Sequence, residues 1–168
     1  IEITVHPSGL DPLIDHLPTS GLEAKFSLPY TVVRALTDGR LDLGSFADEV
    51  AVDPAVVERM SRVTVATAPA PEDRPDLSGE PYSDVRIAKL DGTVIRRVIA
   101  VTRGDARNPL TDEQIDAKFL ACAAAAGWAA QDAQTLLACL RILPTSPDVV
   151  EVTGALRRTV RTLDSAGS

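Results

Sequence analysis

A cation, a hydroxyl and a phenol lie close together at Lys25, Ser27 and Tyr30, in the stretch EAKFSLPYTVVRAL of residues 23–36. At the amino-terminal end of a helix such a group meets free backbone N–H donors and the positive end of the helix dipole. That combination binds an anion such as a carboxylate. A phenol in the same place can also donate a proton to a developing carbanion or to a leaving hydroxide. The same spacing allows Tyr30, Val33 and Leu36 to form one buried stripe of an amphipathic helix, with Lys25 left in solvent. The local pattern leaves both open.

Where the helix starts decides what these residues can meet. Pro29 lies in the middle of the stretch, and a proline inside a helix costs about 3 kcal/mol through a lost hydrogen bond and a clash with the preceding turn. In the first turn it is tolerated, because the missing N–H has no intrahelical partner there. Ser27 as N-cap puts Pro29 in the first turn and runs the helix to Asp38, with Gly39 as its stop. The alternative start is the capping box Ser20-Gly21-Leu22-Glu23, with residues 21–26 as a short first turn and a bend before Pro29. Either start leaves Tyr30 in the first turn of the helix that follows the proline.

Around this segment the chain alternates strand and helix patterns. Ile1, Ile3 and Val5 alternate with Glu2, Thr4 and His6 as a half-buried strand that His6-Pro7 ends. Asp11-Pro12 predicts a short helix carrying Leu13, Ile14 and Leu17, and Asp53-Pro54 starts another with Val56, Val57 and Met60 on one face. RVTVATA from Arg62 reads as a second strand. Residues 69–82, with four prolines and four acidic residues, read as an exposed loop. DVRIAKL and TVIRRVIAVT are the third and fourth strands, joined at Asp91-Gly92. A two-residue loop sets Arg86 opposite Arg97, and a three-residue loop with a bulge sets it opposite Arg96. Thr111-Asp112-Glu113-Gln114 is a capping box for a helix with Ile115, Phe119 and Cys122 on one face, ending near Gly127. Residues 129–142 form a further helix with Leu136, Leu137 and Leu140 inward. Ser146-Pro147 starts a last one through Val149, Val150, Val152 and Leu156, and residues 164–168 fray. The fold class is α+β: a mostly antiparallel sheet of about four strands covered by helices, with C-terminal helices.

Composition narrows the function. The chain has 168 residues, 45% of them hydrophobic and 24% charged, ordinary for a globular protein. The net charge of −7 argues against a general nucleic-acid binder. No apolar run approaches the ~20 residues needed to span a bilayer. Cys122 and Cys139 lie in Ala- and Leu-rich helical sequence without a CxxC or a Cys/His cluster. They read as small buried residues in a reducing, cytoplasmic setting, and no metal site is expected. GxGxxG and P-loop patterns are absent, so nucleotide binding has no support. The sequence opens in mid-strand with no initiator methionine, as a fragment, a processed subunit or a cloned domain would.

The stretch AKFSLPYTVVRALTDGRLDLGSF resembles the C-terminal part of the MmgE/PrpD family, the family of 2-methylcitrate dehydratase, cis-aconitate decarboxylase and iminodisuccinate epimerase. The resemblance continues, in order, through DPAVVERMSRVTV, the hairpin VRIAKLDGTV and RGDARNPLTDEQIDAKF, over about residues 1–125. It implies an α+β lid domain over residues 1–126 and, over 127–168, helices that pack toward a large helical domain lying mostly N-terminal to it. It implies lyase or isomerase chemistry on small di- and tricarboxylic acids, without metal or organic cofactor: proton abstraction beside a carboxylate, then loss of water, loss of carbon dioxide or reprotonation. Tyr30 matches the lid tyrosine that reaches the inter-domain active site. Lys25 and Ser27 match the motif around it as substrate-side residues. The partners implied are a small carboxylic acid, the helical domain in cis or in trans, and a second copy in a homodimer. The family's main catalytic histidine and lysine residues have no counterpart in this sequence, and His6 and His16 read as structural or exposed, so the chain alone is expected to be inactive.

Overall fold

The computed structural model describes residues 1–146, 148–150 and 152–157. They fall into two compact units, Ile1–Asn108 and Pro109–Ser168.

The first unit opens with strand β1 (Glu2–Val5), where Ile3 and Val5 are buried and Glu2 is exposed, as the alternation requires. Helix α1 (Gly21–Ala24) and helix α2 (Leu28–Asp38) follow. The two serine starts are both used. Ser20 caps α1 by accepting from the Glu23 N–H at 3.3 Å, and Ser27 caps α2. The Glu23 carboxylate does not return to Ser20; it accepts from the N–H and hydroxyl of Thr19 at 2.7 and 2.9 Å. Gly39, at φ 70°, ends α2 in the left-handed conformation that favours glycine. A 3-10 turn at Leu43–Phe46, α3 (Asp48–Ala51) and α4 (Pro54–Met60) lead to β2 (Thr64–Thr67). The hairpin of β3 (Ser83–Ala88) and β4 (Val94–Ile99) completes the sheet.

The strand order is β2-β1-β3-β4. β1 pairs parallel with β2 and antiparallel with β3, and β3 pairs antiparallel with β4, so the sheet is mixed. The parallel pair follows from the connection: β1 returns to β2 through α1–α4, a crossover rather than a tight turn. The hairpin has the three-residue loop, with Gly92 at φ 83° and the Lys89 N–H donating to the Thr93 carbonyl at 2.8 Å. Arg86 therefore faces Arg96. The like charges are tolerated because the Arg96 guanidinium is held by Asp84 (2.7–3.0 Å) and by Asp73 of the 69–82 loop (2.7–2.8 Å). Arg96 and Arg97 also put charge on an edge strand, which discourages further pairing.

One sheet face, with Ile3 and Val5, lies under the helices: Val33 and Leu36 of α2 line a cavity together with Ile87 of β3. The helices share a core of Ala24, Tyr30, Val33, Ala51, Val56 and Met60, backed by Phe46 and Val63. Each large apolar side chain buried there contributes about 1.5–3 kcal/mol.

The helix expected after Asp11-Pro12 is not formed. Residues 11–13 are turn and bend; the Leu13 N–H donates to Leu10, and the Ile14 N–H to the carbonyl of Phe26. That bond to the end of α1 draws the backbone away from a helical path, and Pro18 follows too soon for a second turn. Asp53-Pro54, with the same signal, does start a helix, with the Asp53 carboxylate accepting from the Ala55 N–H at 2.9 Å.

The second unit contains α5 (Asp112–Ala125) and α6 (Ala130–Ile142). The Thr111/Gln114 capping box is complete, and Gly127 turns the chain at φ 78°. Leu136, Val152 and Ala155 are buried together, with Phe119, Trp128, Cys139 and Leu143 against them. Ile115, Cys122 and Leu140 are exposed instead of inward. Phe119 of the expected face does pack against the cluster, but α5 turns the small Ala123 inward, one position on from Cys122, so Ile115 and Cys122 at the flank of that face point to solvent. Residues 152–157 are helical, with Val152 buried and Val149 and Val150 exposed. Pro147 and the expected frayed end at 164–168 lie outside the described residues. Among the described residues no helix is long and apolar enough to cross a membrane.

Candidate functional site

Ser27 has extended backbone angles (φ −102°, ψ 110°), and its hydroxyl accepts from the Tyr30 N–H at 3.4 Å. The Ser27 carbonyl accepts from Thr31 at 3.0 Å, the first bond of the helix ladder. Pro29 stands at the second helical position and contributes no N–H. Of the orphan donors of this helix start, one is thus absent and one is used by Ser27, which is itself only 2% exposed.

Tyr30 is fully buried. Its hydroxyl donates to the backbone carbonyl of Ser45 in the 3-10 turn. That turn is fixed by a reciprocal cap: the Asp42 carboxylate accepts from the Ser45 N–H (3.1 Å), and the Ser45 hydroxyl accepts from the Asp42 N–H (3.1 Å). The Tyr30 ring lies 6.0 Å from the Phe46 ring at 45°. Lys25, exposed at the end of α1, places its ammonium 6.0 Å from the centre of the same Phe46 ring. Lys25, Phe46 and Tyr30 thus form a continuous line from solvent to core, and Ser27 anchors the helix that carries the tyrosine. At this separation a cation over an aromatic ring contributes about 0.5–1 kcal/mol.

Burial raises the Tyr30 phenol above its ordinary value near 10; Arg34 opposes this, while Asp38 and Asp53 add to it. The phenol is therefore neutral at physiological pH, a hydrogen-bond donor and proton source rather than a base. An apolar cavity of about 750 Å³ opens on the other side of Pro29, lined by Leu13, Ile14, Leu28, Pro29, Met60 and Val65 among others, and Lys25, Ser27 and Tyr30 are not part of its wall. His16, on that wall, is exposed, 3.5 Å from Asp15 and 3.8 Å from Glu23. His6 caps the 3-10 turn at Pro7–Gly9 through Nδ1, which accepts from the Ser8 N–H at 3.3 Å.

Sequence reasoning missed Ser45 and Phe46, the hydrogen-bond acceptor and the ring neighbour of the tyrosine. The signal for the first was present in the Asp42-Leu43-Gly44-Ser45 spacing, a capping pattern like that at Thr111. Nothing local marks Phe46 as the ring between Lys25 and Tyr30.

Compared with known proteins, the chain matches the model of the MmgE/PrpD C-terminal domain over residues 1–142, from β1 to the end of α6. No individual curated protein matches it. The match takes in the strand, the two serine-capped helices, the hairpin and the capped α5 in one continuous stretch, and on that basis the chain belongs to the MmgE/PrpD family, as its C-terminal domain.

Proposed function

We propose that the chain is the C-terminal domain of a cofactor-independent lyase or isomerase acting on small di- or tricarboxylic acids, by dehydration, decarboxylation or epimerisation. The family match over residues 1–142 carries this. In this role Tyr30 supplies a neutral phenol to a site completed by a helical N-terminal domain, in cis or as a separate subunit, in the cytoplasm. The phenol is protonated at physiological pH and can give that proton to a strongly basic carbanion or leaving hydroxide, although burial, by raising its pKa, weakens it as an acid. To reach substrate, its hydroxyl exchanges the Ser45 carbonyl for the substrate oxygen or carbon when the two domains close. Lys25, exposed beside Phe46, is the group that meets a substrate carboxylate, and Ser27 holds the helix start in place. The abstracting base comes from the helical domain, so the chain alone does not turn substrate over.

A second reading has one observation in its favour. The Tyr30 hydroxyl is already satisfied inside the core, as it would be in a non-catalytic interaction or carboxylate-binding module. One experiment separates the two. The chain is combined with a helical N-terminal half of the family, association is confirmed by sedimentation, and cis-aconitate, 2-methylcitrate and iminosuccinate are assayed. Turnover by the pair, with kcat reduced about 10²–10⁴-fold in Tyr30→Phe, supports the enzymatic role. An associated pair with no turnover, or with full kcat in Tyr30→Phe, favours the module.

A further inference from the structure

The first unit has polar cavities on both faces of its sheet, and their charges are opposite in balance. On the open face, Glu2, Glu72, Asp73 and Asp84 outnumber Arg86 and Arg96. Under the helices, a cavity of about 570 Å³ lies between α2, the end of α4 and the β3–β4 hairpin. Its wall carries Arg59, Arg62 and Lys89 over an apolar floor that includes Val33 and Ile87, and among the described residues no carboxylate lines it. In a chain with 24 acidic and 17 basic side chains, this concentration of cations is against the average.

The cations are also poorly neutralised. Among the described residues neither Arg59 nor Lys89 has a carboxylate within 4.0 Å. Arg62 meets Glu58 only at 3.6 Å, with both side chains mostly in solvent. The Arg59 guanidinium donates to the Thr37 hydroxyl at 3.2 Å, and that hydroxyl donates to the Val33 carbonyl at 2.9 Å. Thr37 therefore positions Arg59 and leaves the rest of its donor fork available. The carboxyl ends of α2 and α4 each carry about half a negative charge, which offsets part of this field. Arg59 and Lys89 remain as cations without a counter-ion in a concave, partly apolar site.

We propose that this cavity binds a small polyanion, a di- or tricarboxylate or a phosphate compound, with Arg59 and Lys89 as the main counter-charges and Arg62 as the third. The apolar floor favours a ligand whose charged groups flank a short carbon body. This inference does not depend on the reaction proposed for the family domain, nor on Tyr30, which is absent from the cavity wall.

The test is an amide NMR titration of the whole chain with tricarballylate and, separately, with inorganic pyrophosphate, at low ionic strength and at 0.15 M salt. The expected result is a saturable shift confined to amides near Thr37, Arg59, Arg62 and Lys89. The Kd should weaken at least about tenfold in the double variant Arg59→Gln/Lys89→Ala, and should not change in Arg103→Gln, a cation outside the cavity wall. The tighter of the two probes identifies the source of the anion. All the substituted side chains are exposed, and a dispersed spectrum confirms that each variant folds. Shifts scattered over exposed cations generally, an unchanged Kd in the double variant, or no response to either probe would overturn the proposal.

Discussion

Replacing Tyr30 by phenylalanine removes one oxygen from the core and nothing from its shape. The carbonyl of Ser45 accepts from that hydroxyl, and no backbone donor reaches it among the described residues. Ser45 is 4% exposed, so water does not take the vacant place. A buried acceptor left without its donor costs about 1–3 kcal/mol. For a unit the size of residues 1–108, a loss of about 2 kcal/mol lowers Tm by about 8 °C. Urea and thermal denaturation followed by far-ultraviolet circular dichroism would measure it. The variant should also behave differently in alkali. Burial raises the Tyr30 pKa in the folded state, so that state keeps a proton which the unfolded chain loses. The corresponding stability is fully present below about pH 10 and falls as pH rises through the folded value. Tyr82, also raised by burial, contributes with the same sign. Tyr30→Phe should therefore keep the share due to Tyr82 and lose the other. A variant within about 0.5 kcal/mol of the parent, with the same alkaline slope, would refute a buried Tyr30–Ser45 bond; that is inside the scatter of ordinary surface substitutions.

Two further outcomes follow from single residues. In Gly21→Ala the new Cβ would stand 1.8 Å from the Phe46 carbonyl oxygen and 2.7 Å from its carbon, so backbone must move. The expected loss is about 3 kcal/mol or more, read from the urea midpoint, and a neutral result would contradict the close approach of α1 to the 3-10 turn. In Arg96→Gln, Asp73 loses the hydrogen bonds that hold its carboxyl below the ordinary value of 3.8. The linked stability is present above that value and disappears as pH falls through the lower folded pKa. A carboxyl NMR titration should show Asp73 moving back toward 3.8, with faster proteolytic cleavage in residues 69–82. Unchanged Asp73 titration would mean that the ion pair does not hold the loop in solution.

What was legible in the sequence is what neighbouring residues decide. Ser27, Pro29 and Gly39 bracket α2 because capping, proline placement and the left-handed stop act within one turn of the chain. Thr111 and Gln114 mark α5 for the same reason. Ser20 and Ser27 competed as alternative starts, and only the fold could show that the chain uses both, breaking between α1 and α2. Asp11-Pro12 misled because its helix is lost to a bond between Ile14 and Phe26, a contact made across twelve residues. The surroundings of Tyr30 were hidden for a similar cause. Its acceptor is fifteen residues away, and a hydroxyl leaves no periodicity by which to predict its partner. The exposure of Ile115 and Leu140 was also beyond reach, since a helical stripe says which residues share a side and not how far the helix is rotated.

The central place of β1 has a kinetic consequence. Glu2 pairs with Thr64 on one side and with Arg86 on the other, so both partners of this strand are remote in the chain. The β3–β4 hairpin closes over three residues and can form in microseconds. Seating β1 requires closure of a loop of about sixty residues, then of one of about eighty, before Ile3 and Val5 gain any packing. The strand that comes first in the chain should therefore join the sheet only after the hairpin has formed, and β2, whose partner in the sheet is β1, joins with it. Pulse-labelled amide exchange would show protection in Ile87 and Ile95, which bond to each other across the hairpin, before Arg86, whose N–H faces β1, and Ile3; the reverse order would mean that the sheet is nucleated at its centre.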